Sequence, residues 1–411
     1  VTVLLPVAVG GDIGVYALLR AFHEEYGCRA VVLSAVATRA VRDSSFIDNV
    51  VVPGIDDAET LVQALEEIGT AHPGATKVLV TNADWYVEML VANRARLEAH
   101  YLMPFCSPEA LALVSDKDTF AQVCAELSIP TPQSVSVHIP DLAAAEVPSL
   151  PIDLAYPLVA KPASSADYHY VEFPGKKKIH HLADRGELDE LLLALVHAGY
   201  RGTFLVQEFI PGDETQMRSL TAYRDSRGSV TLLATGRVLL EEHTPGTLGI
   251  PAAILTEPYE DAMDAASAFL NRVGYLGFAN FDYKWDVRRH RHVFFEMNPR
   301  IGRNNYYVTA AGANPARFVV EDLATGTAVE PVRVRAEILY CVVPFRWLLR
   351  YILDPALRAR LKRVVRRGGL VHPLRYPAER SWRRRATVLA ITVNYVRKYR
   401  HYYPRPTASG A

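Results

Sequence analysis

The stretch Val293-Phe294-Phe295-Glu296-Met297-Asn298-Pro299-Arg300 constrains this chain more than any other. Its apolar, β-prone start predicts a strand, and Pro299, which cannot donate into a ladder, ends it. Period-two alternation puts Glu296 and Asn298 on one face, two hard oxygen side chains of the kind a small octahedral cation such as Mg²⁺ takes. Arg300 follows just beyond the strand end. Upstream, Phe278-Ala279-Asn280-Phe281-Asp282-Tyr283-Lys284-Trp285 alternates in the same way, and the polar segment 286–292 reads as a hairpin connection. A single carboxylate at a strand end is ordinarily solvated or salt-bridged. The hairpin changes that reading, because it brings Asp282 beside Glu296. Two acids and an amide on one edge suggest a divalent-metal site suited to nucleotide phosphates.

At 411 residues the chain is long enough for two or three domains. Cys28, Cys106, Cys124 and Cys341 have no paired spacing, which suggests neither a zinc site nor a disulfide framework and fits a reducing cytoplasm. No apolar run approaches a membrane span, and the first residues lack a signal-peptide pattern. The balanced total of 45 basic and 45 acidic residues conceals an asymmetry. From Phe345 onward 17 lysines and arginines face only Asp354 and Glu379, a net +15, which leaves −15 for everything before.

In chain order, Val3-Leu4-Leu5, a helix from Val15 to Tyr26 and Ala30-Val31-Val32-Leu33 open a parallel α/β layer. The turn Gly10-Gly11-Asp12-Ile13-Gly14 lacks the full dinucleotide glycine spacing, so a loop facing the substrate is the better reading. A helix over Asp57–Gly69, a strand over Lys77–Thr81 and a helix over Tyr86–His100 continue the layer. Asn82 and Asp84 lie at that strand's carboxyl end, either as helix caps or as ligand contacts. Lys117 falls in the first turn of a helix running through Leu127, where a cation opposes the macrodipole and gains little unless it reaches an anion. Lys161 ends the strand Tyr156–Lys161. The stretch 164–170 and Phe173-Pro174-Gly175-Lys176-Lys177-Lys178 can fold over a phosphate chain as a lid. Further on, Leu188–His197 reads as a helix. Strands are expected at Phe204–Ile210, Thr231–Thr235 and Arg237–Leu240, then a polar loop Glu241–Gly246 and a helix Asp261–Val273.

Taken together, this order of segments resembles an ATP-grasp ligase from about Ser115 to Gly326, with a preceding α/β domain of the kind that family carries. The resemblance implies an ATP-grasp fold of α/β and α+β type, divided into an N-terminal parallel α/β domain (1–113), an ATP-grasp domain (114–330) and a basic helical C-terminal extension (331–411). Residue by residue it implies that Lys117 and Lys161 contact the nucleotide phosphates. The strand containing Gln207, Glu208 and Ile210 would read the adenine edge through its backbone, and Glu214 would accept from the ribose hydroxyls. Asp282, Glu296 and Asn298 would hold one or two Mg²⁺ ions, with Mn²⁺ as a substitute, and Arg300 would stabilise the transferring phosphoryl group or acyl phosphate. The lid departs from the family in having only Gly175 where several glycines are usual.

A narrower resemblance rests on Lys161-Pro162, Phe173–Lys178, Gln207-Glu208-Phe209-Ile210-Pro211-Gly212-Asp213, Leu239–Pro245 and Phe22-His23-Glu24-Glu25-Tyr26-Gly27. These are similar to bacterial D-aspartate ligases, carboxylate-amine ligases that add D-aspartate to a peptidoglycan precursor. The activity implied is ATP-dependent amide formation through an acyl phosphate, between an amino-acid carboxylate and an amine acceptor. Arg218, Arg237 and His243 are the candidates for substrate contact. The alternatives are a ligase making a free dipeptide or natural-product amide, and a non-catalytic nucleotide-binding scaffold acting through its tail. The tail itself reads as helix from Phe345 to Val365 and from Ala386 to Tyr399, with interleaved aromatics. It fits either docking on the acidic remainder or peripheral contact with the inner face of an anionic membrane, and nucleic acid fits less well because no RNA-binding motif accompanies the charge.

Overall fold

The computed structural model describes residues 3–142, 153–163, 168, 171–177 and 179–407. It divides into two compact units: Val1–Ile129 with Gly212–Trp285 and Glu296–Ala411, and Pro130–Pro211 with Asp286–Phe295.

The first unit opens with strands β1 (Val3–Val9), β2 (Ala30–Ser34), β3 (Ile47–Val51) and β4 (Ala75–Thr81), all parallel, in the order β3-β2-β1-β4. The middle strands are almost wholly apolar because they are covered on both faces. Helix α1 (Ile13–Tyr26) starts where Asp12 accepts from the amides of Gly14 and Val15, and α2 (Ala58–Ala71) starts at Asp57, which accepts from Thr60. The expected single helix over Tyr86–His100 is two, α3 (Asp84–Ala92) and α4 (Arg94–Leu97). Between them the Asn93 side chain donates to Met89 O at 2.9 Å and competes with the helical ladder. Helices α5 (Pro108–Ser115) and α6 (Lys117–Glu126) follow, capped by Ser107 and Asp116.

The second unit is an antiparallel sheet of β5 (Ser134–His138), β6 (Leu158–Pro162), β7 (His180–Leu182) and β8 (Thr203–Glu208), in the order β5-β8-β6-β7, with α7 (Arg185–His197) packed on it. Leu188, Leu191, Leu192 and Leu195 of α7 share a core with Val137, Leu158, Phe204 and Val206. Within the expected lid, residues 164–167, 169, 170 and 178 lie outside the described residues. Of the rest, Tyr168 is buried and donates to Lys177 O at 3.0 Å.

The first unit resumes with β9 (Met217–Arg224), β10 (Val230–Glu241), β11 (Pro251–Thr256), α8 (Glu260–Arg272), β12 (Gly277–Asp286) and β13 (Arg291–Asn298), whose first residues, up to Phe295, belong to the second unit. After α9 (Tyr306–Ala310) and α10 (Pro315–Val320) come β14 (Val332–Arg333) and β15 (Leu339–Cys341). The tail then runs through α11 (Phe345–Tyr351), α12 (Pro355–Arg366), β16 (Leu370–Val371) and α13 (Trp382–Tyr402). The large sheet has the order β13-β12-β9-β10-β11-β15-β16, with β14 alongside β10.

Where two strands are expected, β10 is one strand of 12 residues, with a register shift between Val238 and Leu240. Gly236, between the two expected strands, is a close approach: a Cβ there would lie 2.4 Å from Ile254 Cγ2. Strands β9 and β11 were not anticipated. The expected helix from Phe345 to Val365 is broken at Asp354-Pro355, where Asp354 caps α12.

The tail is not an appendage. Leu348, Tyr351, Leu361, Val388, Tyr395, Tyr399 and Tyr403 lie in the same buried core as α1 and the large sheet. Arg384, 1 % exposed, donates to Arg39 O and Arg42 O at 3.2 and 3.1 Å and lies over the Tyr16 ring. One face of the basic extension is therefore docked on the remainder of its own unit.

Candidate active site

The hairpin closes as its alternation implies. On β12, Asp282 pairs with Ser219 and Asn280 with Thr221, so the even-numbered β12 side chains share one face. Asn298 Nδ2 donates to Asp282 Oδ2 at 3.0 Å and to Asn280 O at 3.3 Å, and Asn280 Nδ2 lies 3.3 Å from Asp282 Oδ1. Burial, and then the Glu296 carboxylate beside it, push the Asp282 carboxyl up to about 7, partly offset by Arg300. A divalent cation would relieve that repulsion, and two carboxylates with an amide are donors of the right hardness for Mg²⁺. Among the described residues no group of three or more His, Cys, Asp or Glu is placed to hold an ion. An amide, water or phosphate oxygen would therefore have to complete the shell.

Arg300 reaches Asp84 Oδ2 at 3.3 Å through one terminal nitrogen. Its Nε and Asp84 Oδ1 are buried without a partner among the described residues, the state expected of groups that meet a ligand. Neither Asn82 nor Asp84 caps α3, whose cap residue is Ala83. Asn82 instead donates to Asp12 Oδ1 at 2.9 Å, while Asp12 Oδ2 accepts from Arg303 Nε at 2.7 Å. Arg303 also donates to Glu242 Oε1 at 2.6 Å, and Tyr395 Oη of α13 donates to the same oxygen at 3.0 Å. The Gly10–Gly14 turn is thus packed on the loop that follows β13. Gly14 is needed there because a Cβ would stand 2.7 Å from the Arg303 main chain.

At another corner of this unit Glu214, 7 % exposed, accepts from Glu241 N at 2.7 Å and faces His243 Nε2 at 2.6 Å. Burial raises its carboxyl and the His243 ring opposes the rise. Tyr403 covers His243, ring centroids 3.6 Å apart and planes 8° apart, and is held in turn by Tyr351 Oη donating to Tyr403 O at 2.8 Å. His243 is thereby occupied on one ring nitrogen and one face, so it positions Glu214 more directly than it offers itself to a substrate. Tyr403→Ala should raise the KM for ATP about three- to tenfold with little change in kcat, whereas Tyr403→Phe, which keeps the stack, should match the parent. Initial rates against ATP concentration decide this, and equal KM values for the two variants would remove the positioning role.

Arg218 and Arg237 are not brought to the Asp282 face of the sheet. They are register partners on β9 and β10, and Arg218 also pairs with Tyr283, the neighbour of Asp282 that alternation turns the other way. Arg218 Nη1 and Arg237 Nε both donate to Thr215 O, at 2.7 and 2.8 Å, and Arg218 lies over Tyr259. The sequence gives no hint of this sidedness, since a one-residue shift in phase inverts it.

Two residues on the Asp282 side escaped sequence reasoning. Lys284 donates to Gly212 O at 2.7 Å. Glu241 has its carboxyl raised by burial and then by Glu214 and Asp282, with Lys284 acting against them. Lys284 was legible, two residues past Asp282 in a period-two strand; Glu241 was hidden by the register shift in β10. Lys117 stands at the first position of α6, after its cap Asp116.

In the second unit Lys161 and Gln207 lie on adjacent strands, where Gln207 pairs with Val159 and Lys161 with Leu205. Glu208 is committed to Arg288 and Arg289 at 3.0 and 2.5 Å. Ile210, 4 % exposed, follows two residues after β8 ends.

Residues 116–327 match the family model described as carbamoyl-phosphate synthase L chain, ATP binding domain. The chain is 29% identical over 410 residues to a D-aspartate ligase of Enterococcus faecium (strain Aus0004), covering 97% of this chain and 96% of that protein. Its fold is similar to the ADP complex of an N5-carboxyaminoimidazole ribonucleotide synthetase (TM-score 0.57, 14% identity, 82% of this chain and 80% of that one). It is similar too to the biotin carboxylase domain of the Hydrogenobacter thermophilus 2-oxoglutarate carboxylase (TM-score 0.59, 16% identity, 81% and 73%). With the family model spanning just over half of its length, the chain belongs to the carbamoyl-phosphate synthase L chain ATP-binding family and is an ATP-grasp ligase.

Proposed function

We propose that this ligase activates the carboxylate of D-aspartate, or of a closely related amino acid, and joins it to an amine of a peptidoglycan precursor. The observation that carries the reading is the Asp282, Glu296 and Asn298 set with Arg300 beside it. The end-to-end similarity to a D-aspartate ligase supports the substrate class. In this reading Asp282, Glu296 and Asn298 hold Mg²⁺, which when bound neutralises phosphate charge and draws electron density from the γ-phosphorus. Lys117 and Lys161 bind phosphate oxygens as point charges, Gln207 to Ile210 face the adenine, and Glu214 accepts from the ribose. His243 and the Glu241 amide hold the Glu214 carboxylate in place for that role.

The chemistry divides into two steps. A carboxylate oxygen attacks the γ-phosphate and ADP leaves. The amine nitrogen then attacks the acyl carbon, the C–O bond to phosphate breaks, and the nitrogen loses a proton as the amide forms. Arg300, with a buried unpartnered Nε, stabilises the phosphate oxygens in both steps.

The test is phosphate and ADP release with a panel of D- and L-amino acids, each paired with candidate amines that include a peptidoglycan-precursor peptide. D-Aspartate with the peptide is expected to give the highest kcat/KM. Turnover with two free amino acids and none with the peptide would establish dipeptide synthesis instead. If no pair stimulates ADP formation, the proposed amino-acid and amine substrates are wrong.

A further inference from the structure

Helix α13 has two faces, and only one is accounted for by the docking already described. Arg384, Val388, Thr392, Tyr395 and Tyr399 are buried. On the other side Trp382 is 74 %, Leu389 62 % and Val393 44 % exposed. At about 100° per residue these three fall within about 40° of one another, so they form one stripe, with Ala386 and Ala390 beside it and also exposed. Arg383 and Arg385 flank the stripe at its start and Arg397 and Arg400 at its end, all exposed, and no acidic residue occurs anywhere in Trp382–Tyr402. Next to Leu389 lies a groove of about 390 Å³ lined by Leu374, Tyr376, Pro377 and Val388, with Arg375, Arg384, Arg385 and Glu379 also in its lining.

We propose that α13 rests on an anionic bilayer surface, with Trp382, Leu389 and Val393 in the headgroup region and the arginines against lipid phosphates. The helix is held by its inner face, so it presents the outer face already folded. An exposed tryptophan on an apolar stripe between arginines is the composition of an interfacial helix. Three exposed large apolar side chains are too few for a stable protein partner, which takes about 800 Å² from each side. A second copy docking this face on itself would oppose arginine to arginine. A bilayer needs no matching shape and returns about 1 kcal/mol for each arginine near its surface. Among the described residues no helix is long and apolar enough to cross a membrane, so the contact is one of surface attachment.

The experiment uses the full chain, because the tail contributes to the core and truncation would unfold it. The protein is sedimented with phosphatidylcholine vesicles and with vesicles containing about one-third phosphatidylglycerol. Binding is expected only to the anionic vesicles, and is expected to be lost in about 0.5 M salt. Trp382→Ser with Leu389→Ser should weaken it about tenfold or more, and Arg383→Gln with Arg385→Gln about tenfold. All four positions are exposed, so both variants should keep the parent unfolding midpoint and the parent rate of ADP formation without vesicles. Equal sedimentation with neutral and anionic vesicles overturns the proposal. So does anionic binding that both double variants retain in full, or absence of binding to either kind of vesicle; a dimer in light scattering that Trp382→Ser and Leu389→Ser abolish would then assign this face to a second copy.

Discussion

Glu296→Gln is expected to lower kcat by about a thousandfold or more, a loss of about 4 kcal/mol of transition-state stabilisation, while leaving the protein at least as stable as the parent. The second half of this expectation follows from the site's own electrostatics. The Glu296 carboxylate is, after burial, the main reason the Asp282 carboxyl sits near 7, so the two acids repel in the folded protein. Glutamine keeps the side chain's shape and removes that repulsion. A dead enzyme with an unchanged or higher urea midpoint is therefore the signature of a metal carboxylate here, and a general loss of fold would lower activity and midpoint together. ADP release in a coupled assay and equilibrium unfolding in urea measure the two quantities. Parent-like turnover would remove Glu296 from the metal set.

Glu242→Ala should have the largest effect on stability, about 3–5 kcal/mol. Glu242 is 3 % exposed and accepts from Arg303, Tyr395 and Thr247, at 2.6, 3.0 and 2.9 Å. Its removal leaves the Arg303 guanidinium, itself largely buried, with Asp12 as its remaining carboxylate. One residue then loosens four segments at once: the end of β10, the loop after β13, the turn before α1, and α13. Glu242→Gln keeps an acceptor for Tyr395 and should cost less, about 1–3 kcal/mol. The difference in urea unfolding free energy between parent and variant tests this, and a loss below about 1 kcal/mol for Glu242→Ala would show that the four segments are held by packing alone.

Much of the site could be read locally. The Asp282 hairpin and its ending at Pro299 follow from period-two alternation within about 20 residues of chain, and in the structure β12 and β13 run as that hairpin with Asn298 Nδ2 on Asp282 Oδ2. Helix starts at Asp57 and Asp116 are local for the same reason: a short side-chain acceptor meets an amide three residues on. The polar segment after Glu241 looked like a loop with few anchors. Its anchors, Tyr395, Tyr399 and Tyr403, lie more than 150 residues away in sequence.

By itself, then, the sequence determined the parallel opening layer, the hairpin of β12 and β13, the resemblance to an ATP-grasp ligase and the strength of the basic tail. Only the tertiary structure decided which face of the large sheet Arg218 and Arg237 occupy, that β10 continues through Gly236, and that the tail is half core and half surface. The division has one physical cause. Alternation, capping and charge act between residues close in sequence and leave a pattern there, whereas sidedness after a register shift and the choice of a buried partner depend on residues that only folding brings together.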